Sequence, residues 1–271
     1  MLQPGQLVFC DYLVRLRDAP EERICLGYYG GLTPSELALS TNEWRNGCFA
    51  EYACFPAENA HLLDEQLLEA QGIQPNQLAE IASLMPGMGA ANAISFKAGD
   101  TVLALPATGF FSSSGVAAVL ALGADVIAGS RDKESLDALI QHFSEDSKRL
   151  TPIVLQEADA YIKYSPPAAA LTNNIKAGLM ALKWHGRCCF NGVITEDVPL
   201  PYAVIMGNCL TIRGQFAQMR QDVAQTVRLI ETGKLKLRKE IIGPFPIEEH
   251  AEMLDIAANS RGWKKMMLFA P

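Results

Sequence analysis

The chain has 271 residues, of which 49% are hydrophobic and 20% are charged, so it can bury one large core or two ordinary ones. Its formal net charge is −7 and its basic residues form no stripe, which argues against a nucleic-acid partner. The sequence contains neither an N-terminal signal segment nor the run of about 18 apolar residues that marks a membrane helix. We therefore expect a globular cytosolic protein without a membrane partner.

The seven cysteines are scattered along the chain and never occur in C-x-x-C spacing. The four histidines are also far apart, so no pair of them has the spacing of zinc ligands on a helix. We predict that the thiols are small buried groups and that no metal is bound. The cysteines are Cys10, Cys25, Cys48, Cys54, Cys188, Cys189 and Cys209.

The first part of the chain is rich in β-forming residues that Gly and Pro interrupt, which predicts short strands. These predicted strands are Gln6–Val14, Ile24–Tyr29 and Cys48–Phe55. Apolar residues recur at helical spacing over Gln74–Met85, and Pro86-Gly87 is expected to end that helix. A second short helix is predicted over Ala90–Phe96.

The segment from Lys97 to Arg131 has the pattern of a strand, a glycine-containing turn, an apolar helix and a second strand. The predicted elements here and just beyond are strand Val102–Leu105, helix Phe111–Leu122, strand Val126–Ala128 and helix Lys133–Phe143. Because the strands are apolar throughout, we expect a sheet buried on both faces. A strand that enters a helix through such a turn directs backbone N–H groups and the positive helix end at one point, which suits a phosphate.

Only Gln156–Ala160 separates a third predicted strand, Ile153–Leu155, from a fourth, Tyr161–Tyr164. Five residues reach at most about 18 Å, whereas a crossover between parallel strands takes about a dozen residues. The sequence therefore predicts an α/β protein with a Rossmann-like, doubly wound parallel sheet in which one crossover is shortened and lacks its helix.

After Ser165-Pro166-Pro167, helices and strands alternate again. They are predicted as helix Thr172–Lys183, strands Arg187–Phe190 and Thr211–Gly214, helices Asp222–Thr232 and Ile247–Ala258, and strand Met266–Phe269. His185-Gly186 is expected to end a helix, where a cation is favourable. The last strand is expected to return to the first sheet.

The turn before the apolar helix carries the first group of candidate ligand contacts. Its members are Thr108, Gly109, Phe110, Phe111 and Ser112. Gly109 would let the backbone approach a pyrophosphate, although a plain turn glycine explains it equally well. Phe110 either covers the phosphate or fills its place.

The turn after the second strand carries the second group, Ser130, Arg131 and Lys133. A hydroxyl and two cations suit the 2′-phosphate of NADP(H), whereas an acidic residue would select NAD. A solvated helix start, with the cations paired to Asp132 or Glu134, is an equally good interpretation. Further candidates follow the fourth and fifth strands and would flank the nicotinamide: Ser165, Gly192, Val193 and Ile194.

Four segments, in order along nearly the whole chain, carry a family resemblance. They are EWRNGCFAEYACFPAENAHLLDE (Glu43–Glu65), KAGDTVLALPATGFF from Lys97, the SPPAAA turn from Ser165, and LPYAVIMGNCLTIRGQF (Leu200–Phe216). They resemble the medium-chain dehydrogenase/reductase superfamily, in particular a zinc-independent branch like the quinone reductases or alcohol dehydrogenases. The resemblance implies a GroES-like substrate domain, a Rossmann domain, a nicotinamide coenzyme, and a homodimer formed through the strand Leu210–Phe216.

The chain also departs from the family pattern. The resemblance begins partway through the substrate domain, so we expect the N-terminal portion of that domain to be absent. Ala107, Gly109 and Ser112 stand at the three positions of the glycine motif, which is therefore eroded. The expected division is a partial GroES-like domain over residues 1–96, completed by residues 245–271, and a Rossmann-like domain over residues 97–244.

Three functions fit these observations. The leading prediction is an NADP(H)-dependent oxidoreductase that transfers hydride to or from a small carbonyl or enone-type substrate. An alternative is a cofactor-independent isomerase, lyase or cyclase, with Phe110 and Phe111 lining an apolar pocket. The third is a non-catalytic partner-binding subunit, which an exposed apolar patch would favour. No residue is marked by its spacing as a catalytic acid, base or nucleophile.

Overall fold

The computed structural model describes residues 2–28, 31, 33–153, 158–164, 174–192, 194–237, 242–260 and 267–269. The chain divides into two compact units. The first comprises Met1–Ala82, Leu237–Ser260 and Met266–Pro271, and the second comprises Ser83–Lys236 and Arg261–Lys265. The predicted domain bounds remain a prediction. Within the described residues, no helix is long and apolar enough to cross a membrane.

The secondary structure consists of short strands and helices. The described strands are β1 (Val8–Cys10), β2 (Leu13–Arg15), β3 (Arg23–Cys25), β4 (Ala60–Leu62), β5 (Thr101–Ala104), β6 (Asp125–Ala128), β7 (Leu150–Pro152), β8 (Ala158–Tyr164), β9 (Leu182–Asn191), β10 (Thr211–Gly214), β11 (Ile242–Phe245) and β12 (Met267–Phe269). The described α-helices are α1 (Pro34–Ala38), α2 (Glu65–Ala70), α3 (Ile81–Ala93), α4 (Phe110–Ala121), α5 (Lys133–His142), α6 (Asn174–Met180), α7 (Tyr202–Gly207), α8 (Arg220–Glu231) and α9 (His250–Asn259). Turns of 3₁₀ helix cover Ala57–Asn59, Pro75–Glu80, Ser144–Asp146 and Ile247–Glu249, and a π-helical turn covers Leu39–Glu43.

The first unit contains small two-stranded sheets. β1 pairs antiparallel with β4, β2 pairs antiparallel with β3, and β11 pairs parallel with β12. Two sequence predictions are wrong here. Cys48–Phe55 forms no strand, because this largely exposed segment has no sheet edge as its partner and β4 pairs with β1 instead. The final strand pairs with β11 rather than returning to the first sheet.

The helix predicted to end at Pro86 continues past it, because α3 runs on to Ala93. A proline inside a helix removes one N–H donor, and tertiary contacts must compensate for that loss. The carbonyl of Pro86 accepts a hydrogen bond from Nδ2 of Asn191 at 3.0 Å. Gly87 lets α3 approach α4 closely, since a Cβ at Gly87 would lie 2.7 Å from Cα of Gly115. Packing against α4 therefore accompanies the continuous helix.

The second unit is built on a parallel sheet with the strand order β10-β9-β8-β5-β6-β7. β5 lies near its centre, where Val102 is opposite Val126 of β6 and Leu103 is opposite Tyr161 of β8. Apolar strands of this kind are favoured where both faces of a sheet are covered. The predicted α/β class with a Rossmann-like parallel sheet is confirmed.

Helices cover both faces of this sheet, since neighbouring residues of a strand point to opposite sides. On one face α4 packs on β5, β6 and β8 through Val102, Ala104, Val126, Ile162, Val116 and Val119. On the other face α6 completes a core cluster of Leu103, Ile127, Tyr161, Ile175, Leu179, Leu182 and Cys188. Gly178 of α6 is required there, because a Cβ would collide with the ring of Tyr161.

β5 and β6 lie between β7 and β8 in the sheet, although β8 is the strand that follows β7 in sequence. Residues 154–157 of the connection between β7 and β8 lie outside the described residues, and β8 begins at Ala158. β7 begins at Leu150, three residues earlier than the third strand that the sequence predicts. The connection is nevertheless as short as the sequence implies.

His185 does not end a helix, so that prediction is wrong. α6 ends at Met180, and His185 lies within β9 with a φ of 59°. Its N–H donates to the carbonyl of Asn208 at 2.7 Å, and its ring contacts the ring of Trp184. A residue in the left-handed region inside an irregular strand has the same sequence signature as a helix end.

Candidate functional site

The turn between β5 and α4 places a helix start at the carboxyl edge of the sheet. The N–H of Ala107 donates to the carbonyl of Gly129 at 2.7 Å, which ties this turn to the end of β6. Gly109 then caps α4 with an extended backbone, φ −72° and ψ 162°. The first N–H groups of a helix have no intrahelical acceptor, and the helix dipole is positive at this end. The start of α4 therefore suits an anion.

The eroded glycine motif leaves this helix start intact. A Cβ at Gly109 would lie 2.8 Å from Oγ of Ser112, so a side chain there would displace that hydroxyl. Ser112 is buried, and its hydroxyl donates to the carbonyl of Gly109 at 3.3 Å. Close approach between helices occurs one turn later, where Gly115 faces Gly87.

Phe110 and Phe111 form the first turn of α4 and remain 41% and 49% exposed. Their rings contact each other edge to face, with centroids 5.1 Å apart and an interplanar angle of 80°. If the two rings filled the phosphate position at the start of α4, the surrounding residues would bury them. This exposure favours the interpretation in which the rings line the turn over the one in which they occupy the phosphate position.

A hydroxyl pair joins the two predicted ligand turns. Oγ of Ser130 lies 2.6 Å from Oγ1 of Thr108, and it accepts a hydrogen bond from the N–H of Asp132 at 3.1 Å. Thr108 is buried, so the contact holds the turn after β6 against the turn after β5. Two candidate residues that are 22 positions apart in sequence thus meet at one point of the sheet edge.

The two cations that follow Ser130 differ in their partners. Nζ of Lys133 forms an ion pair with Asp137 at 2.6 Å, one helical turn further along α5. Asp132 caps α5, because its Oδ1 accepts hydrogen bonds from the N–H groups of Glu134 and Ser135. Arg131 is exposed and forms no ion pair within the described part of the chain. Arg131 is therefore the better placed of the two cations for a ligand.

The remaining candidates follow β8 and β9. Gly192 directly follows β9 and adopts a φ of 109°, which favours glycine. Ile194 packs against the core cluster on the α6 face. Ser165 and Val193 lie outside the described residues. Contact of these four residues with a nicotinamide stays a prediction.

Sequence reasoning missed Lys163, which is only 3% exposed on β8. Burial lowers the pKa of its amine, and the thiol of Cys188 has a smaller opposite effect. Lys163 follows the buried Ile162 in a strand of a parallel sheet whose faces helices cover, which is an unusual position for a charged residue. A lysine within a predicted strand of a buried parallel sheet is the sequence signal that would have identified Lys163 as a candidate.

The thiols only partly follow their predicted burial. Cys188 and Cys189 are buried, Cys10 and Cys25 are half-buried, and three others are exposed: Cys48, Cys54 and Cys209. The prediction is wrong for those three, because they lie on surface segments. Burial raises the pKa of Cys189 to about 12, so its thiol is neutral at neutral pH. No group of three or more His, Cys, Asp or Glu side chains in the described residues could hold a metal ion.

Comparison with known proteins gives structural matches only. No protein-family model and no curated protein matches the chain. L-idonate 5-dehydrogenase from Escherichia coli K-12 MG1655 matches with a TM-score of 0.74 and 14% identity, over 99% of this chain and 77% of that one. A protein described as a short chain alcohol dehydrogenase, from Escherichia coli CFT073 in complex with NADH, matches with a TM-score of 0.73 and 16% identity, over 98% of this chain and 77% of that one.

A third match is a cobalt- and zinc-bound thermostable alcohol dehydrogenase from Pyrobaculum aerophilum. Its TM-score is 0.65 and its identity 19%, over 92% of this chain and 75% of that one. This chain has the medium-chain dehydrogenase/reductase fold. The medium-chain dehydrogenase/reductase resemblance that the sequence segments carry is thereby confirmed at the level of the fold, with a Rossmann-like sheet and a small antiparallel part.

Proposed function

We propose that this protein is an NADP(H)-dependent oxidoreductase that transfers hydride to or from a small carbonyl or enone-type compound. The observation that carries the proposal is the start of α4, where Gly109 opens a 12-residue helix shortly after β5. The fold supports the same conclusion, since it is shared with dehydrogenases, one of them in complex with NADH.

The residues at the start of α4 fit a pyrophosphate. Gly109 has no side chain, so phosphate oxygens can approach the first-turn amide groups. Among the described residues, a Cβ added there would meet only Oγ of Ser112 within 4 Å, apart from its chain neighbours. The exposed rings of Phe110 and Phe111 would cover the pyrophosphate and exclude water, which strengthens the attraction between phosphate and helix end.

The turn after β6 favours NADP(H) over NAD(H). A guanidinium matches the geometry of a phosphate through two parallel hydrogen bonds, and Arg131 is exposed for such a contact. Ser130 adds a hydroxyl beside it. The carboxylate of Asp132, which could otherwise bond a ribose 2′-hydroxyl, is engaged in capping α5.

Bound NADP(H) would supply or accept the hydride. The chain's own contribution is to hold the dinucleotide along the carboxyl edge of the sheet and to bring substrate to reacting distance. Gly192 and the predicted residues Ser165, Val193 and Ile194 would flank the nicotinamide. We place the proposed enzyme in the cytosol. It acts without zinc, so dialysis against a chelator should leave the affinity for NADPH unchanged.

A homodimer formed through Leu210–Phe216 belongs to the proposal. β10 is an edge strand of the parallel sheet, so only one of its sides pairs with another strand in the described residues. Two copies that meet along this edge would extend the sheet and satisfy the exposed backbone groups. Light scattering should give twice the 29.5 kDa of one chain, and the single-chain mass would reject the dimer.

Titration of the purified protein with NADPH tests the proposal. Nicotinamide fluorescence should saturate at micromolar concentration, and the melting temperature should rise, because a ligand that binds only the folded state stabilises it. NADH should bind more weakly. Absence of a response to either coenzyme at millimolar concentration rejects the proposal and leaves the non-redox enzyme and the partner-binding subunit.

A further inference from the structure

Lys163 lies at the point of the sheet where a parallel α/β fold binds its ligands. β8 and β5 are neighbours, and the helices that follow them, α6 and α4, cover opposite faces. The crevice outside the carboxyl ends of such a strand pair is the usual ligand position. Lys163 is opposite Phe190 of β9, and it follows Ile162, which is opposite Ala104 of β5. The lysine is therefore one residue from the end of β8, in the layer next to the turn that leads to Gly109.

The amine of Lys163 has a poor electrostatic environment. The residue is 3% exposed and shares its sheet face with Tyr161, which is fully buried. No carboxylate among the described residues pairs with it, and its described electrostatic neighbour is the thiol of Cys188. Burial raises the pKa of that thiol, so at neutral pH the thiol carries no charge that could balance an ammonium.

A buried amine without an anionic partner destabilises a folded protein, and it either loses its proton or acquires a counter-ion. Either form of the amine favours an anionic ligand. A bound oxyanion stabilises the protonated amine and accepts charge-assisted hydrogen bonds from it. Perturbed ionisable groups of this kind are concentrated at binding sites. The position of the amine at the strand pair described above points in the same direction.

We propose that Lys163 is an anion-binding residue that holds a phosphate or carboxylate oxygen of a ligand at the carboxyl ends of β8 and β5. The oxyanion is either the pyrophosphate of the dinucleotide or a carboxylate of the substrate. The first source rests on the proposed function, whereas the second does not.

Binding measurements on three proteins separate these sources. Wild type, Lys163→Met and the matched control Lys176→Met are titrated by calorimetry with NADPH, inorganic pyrophosphate and malonate. Lys176 is an exposed lysine on α6, so its loss removes the same charge without touching the buried layer. Lys163→Met should lower the affinity for the ligand that Lys163 contacts by about 10- to 100-fold. Lys176→Met should have little effect on the affinity for any of the three ligands.

Each pattern of results has one meaning. Weakened NADPH and pyrophosphate binding supports the proposal with the dinucleotide as source, and weakened malonate binding supports it with the substrate as source. If wild type binds NADPH and Lys163→Met binds all three ligands equally well, the inference fails and the proposed function stands. If wild type does not bind NADPH but its pyrophosphate or malonate binding depends on Lys163, the inference stands and the proposed function fails.

Two further readouts do not depend on the binding competence of the variant. In wild type labelled with ¹³C-lysine, the εCH₂ signal of Lys163 should move towards the protonated form when the anion binds, and a signal that ignores all three ligands overturns the proposal. Without ligand, Lys163→Met should melt at a higher temperature than wild type, because it removes a partly desolvated amine that no carboxylate among the described residues balances. A lower melting temperature would instead mark Lys163 as a structural residue.

Discussion

The turn after β5 and the turn after β6 meet at the same edge of the sheet, yet they offer a ligand different chemistry. The first contains the buried Thr108 and the glycine cap of α4, so its ligand groups are backbone amides. The second exposes the side chain of Arg131. A hydroxyl contact between Thr108 and Ser130 and a backbone hydrogen bond from Ala107 to Gly129 join the two turns.

The difference teaches that recognition through the backbone tolerates sequence change better than recognition through side chains. Ala107 and Ser112 occupy glycine positions of the motif, and α4 still begins at the same edge. A pyrophosphate would be held by N–H groups that every residue carries except proline. Selection of the 2′-phosphate, by contrast, depends on one residue type at Arg131.

The largest expected effect breaks the backbone turn. Gly109→Val adds a side chain where a Cβ already meets Oγ of Ser112 at 2.8 Å, so it should block the approach of the pyrophosphate. NADPH and NADH affinity should both fall by about 100-fold, which corresponds to the loss of about two hydrogen bonds to a charged group. Fluorescence titration measures both.

Gly207→Ala is the matched control for that variant, because a Cβ at Gly207 would meet no atom within 4 Å in the part of the chain that the structure describes. It should bind both coenzymes like wild type. Unchanged affinity of Gly109→Val would show that the dinucleotide is not held at the start of α4.

The next effect separates the two turns. Arg131→Ala should lower the affinity for NADPH by about tenfold and leave the affinity for NADH nearly unchanged, since only NADPH carries the 2′-phosphate. Lys133→Ala serves as the comparison, because Lys133 is already paired with Asp137 and should change NADPH affinity by about twofold at most. Equal losses for both coenzymes with Arg131→Ala would contradict the assignment of the second turn.

A smaller effect tests whether the turns act together. Thr108→Val keeps the shape of the side chain and removes the hydrogen bond to Ser130, so the affinity for both coenzymes should fall by about threefold. Ser113→Ala is its control, because the hydroxyl of Ser113 donates to the carbonyl of Phe110 within the same helix and has no other partner among the described residues. If Thr108→Val affects the affinity for neither coenzyme, the hydroxyl contact between the two turns plays no part in coenzyme binding.

The last prediction concerns the stability of the parallel sheet. Its effect is the smallest, because the free energy of unfolding should not change at neutral pH. Burial raises the pKa of Cys189 from 9.0 to about 12, so above pH 9 the unfolded state loses this proton before the folded state does. The free energy of unfolding should therefore be unaffected below pH 9 and should fall as the pH rises from 9 towards 12. Urea unfolding at pH 7, 9 and 10.5 measures the decline, and Cys189→Ala should make it shallower. A free energy of unfolding that rises between pH 9 and 10.5 would contradict the raised pKa of the Cys189 thiol.

Much of the parallel sheet was predictable from the sequence because its strands are apolar on both faces. β10 has the predicted bounds, and the ends of β5, β6, α4 and α5 lie within about one residue of the predicted ones. Such strands and the helix between them are determined by local composition and by the glycines that end them. The same reasoning identified the positions of Thr108 and Ser130.

The remainder depends on contacts that local sequence does not contain. The continuation of α3 through Pro86 involves packing on α4, and the placement of His185 in β9 involves a hydrogen bond to Asn208. The contact between Thr108 and Ser130 follows from the register of β5 and β6, which periodicity alone does not give. The sequence does not single out Lys163, because one charged residue within the predicted strand Tyr161–Tyr164 gives no motif and no spacing.

Hydrogen exchange with and without NADPH tests the central claim most directly. Saturating NADPH should slow exchange in peptides that cover the start of α4 from Gly109 and the turn from Gly129 to Asp132, with little change in the peptide that covers α8. Saturable NADPH binding that leaves exchange at the start of α4 unchanged would contradict the claim that this helix end holds the pyrophosphate.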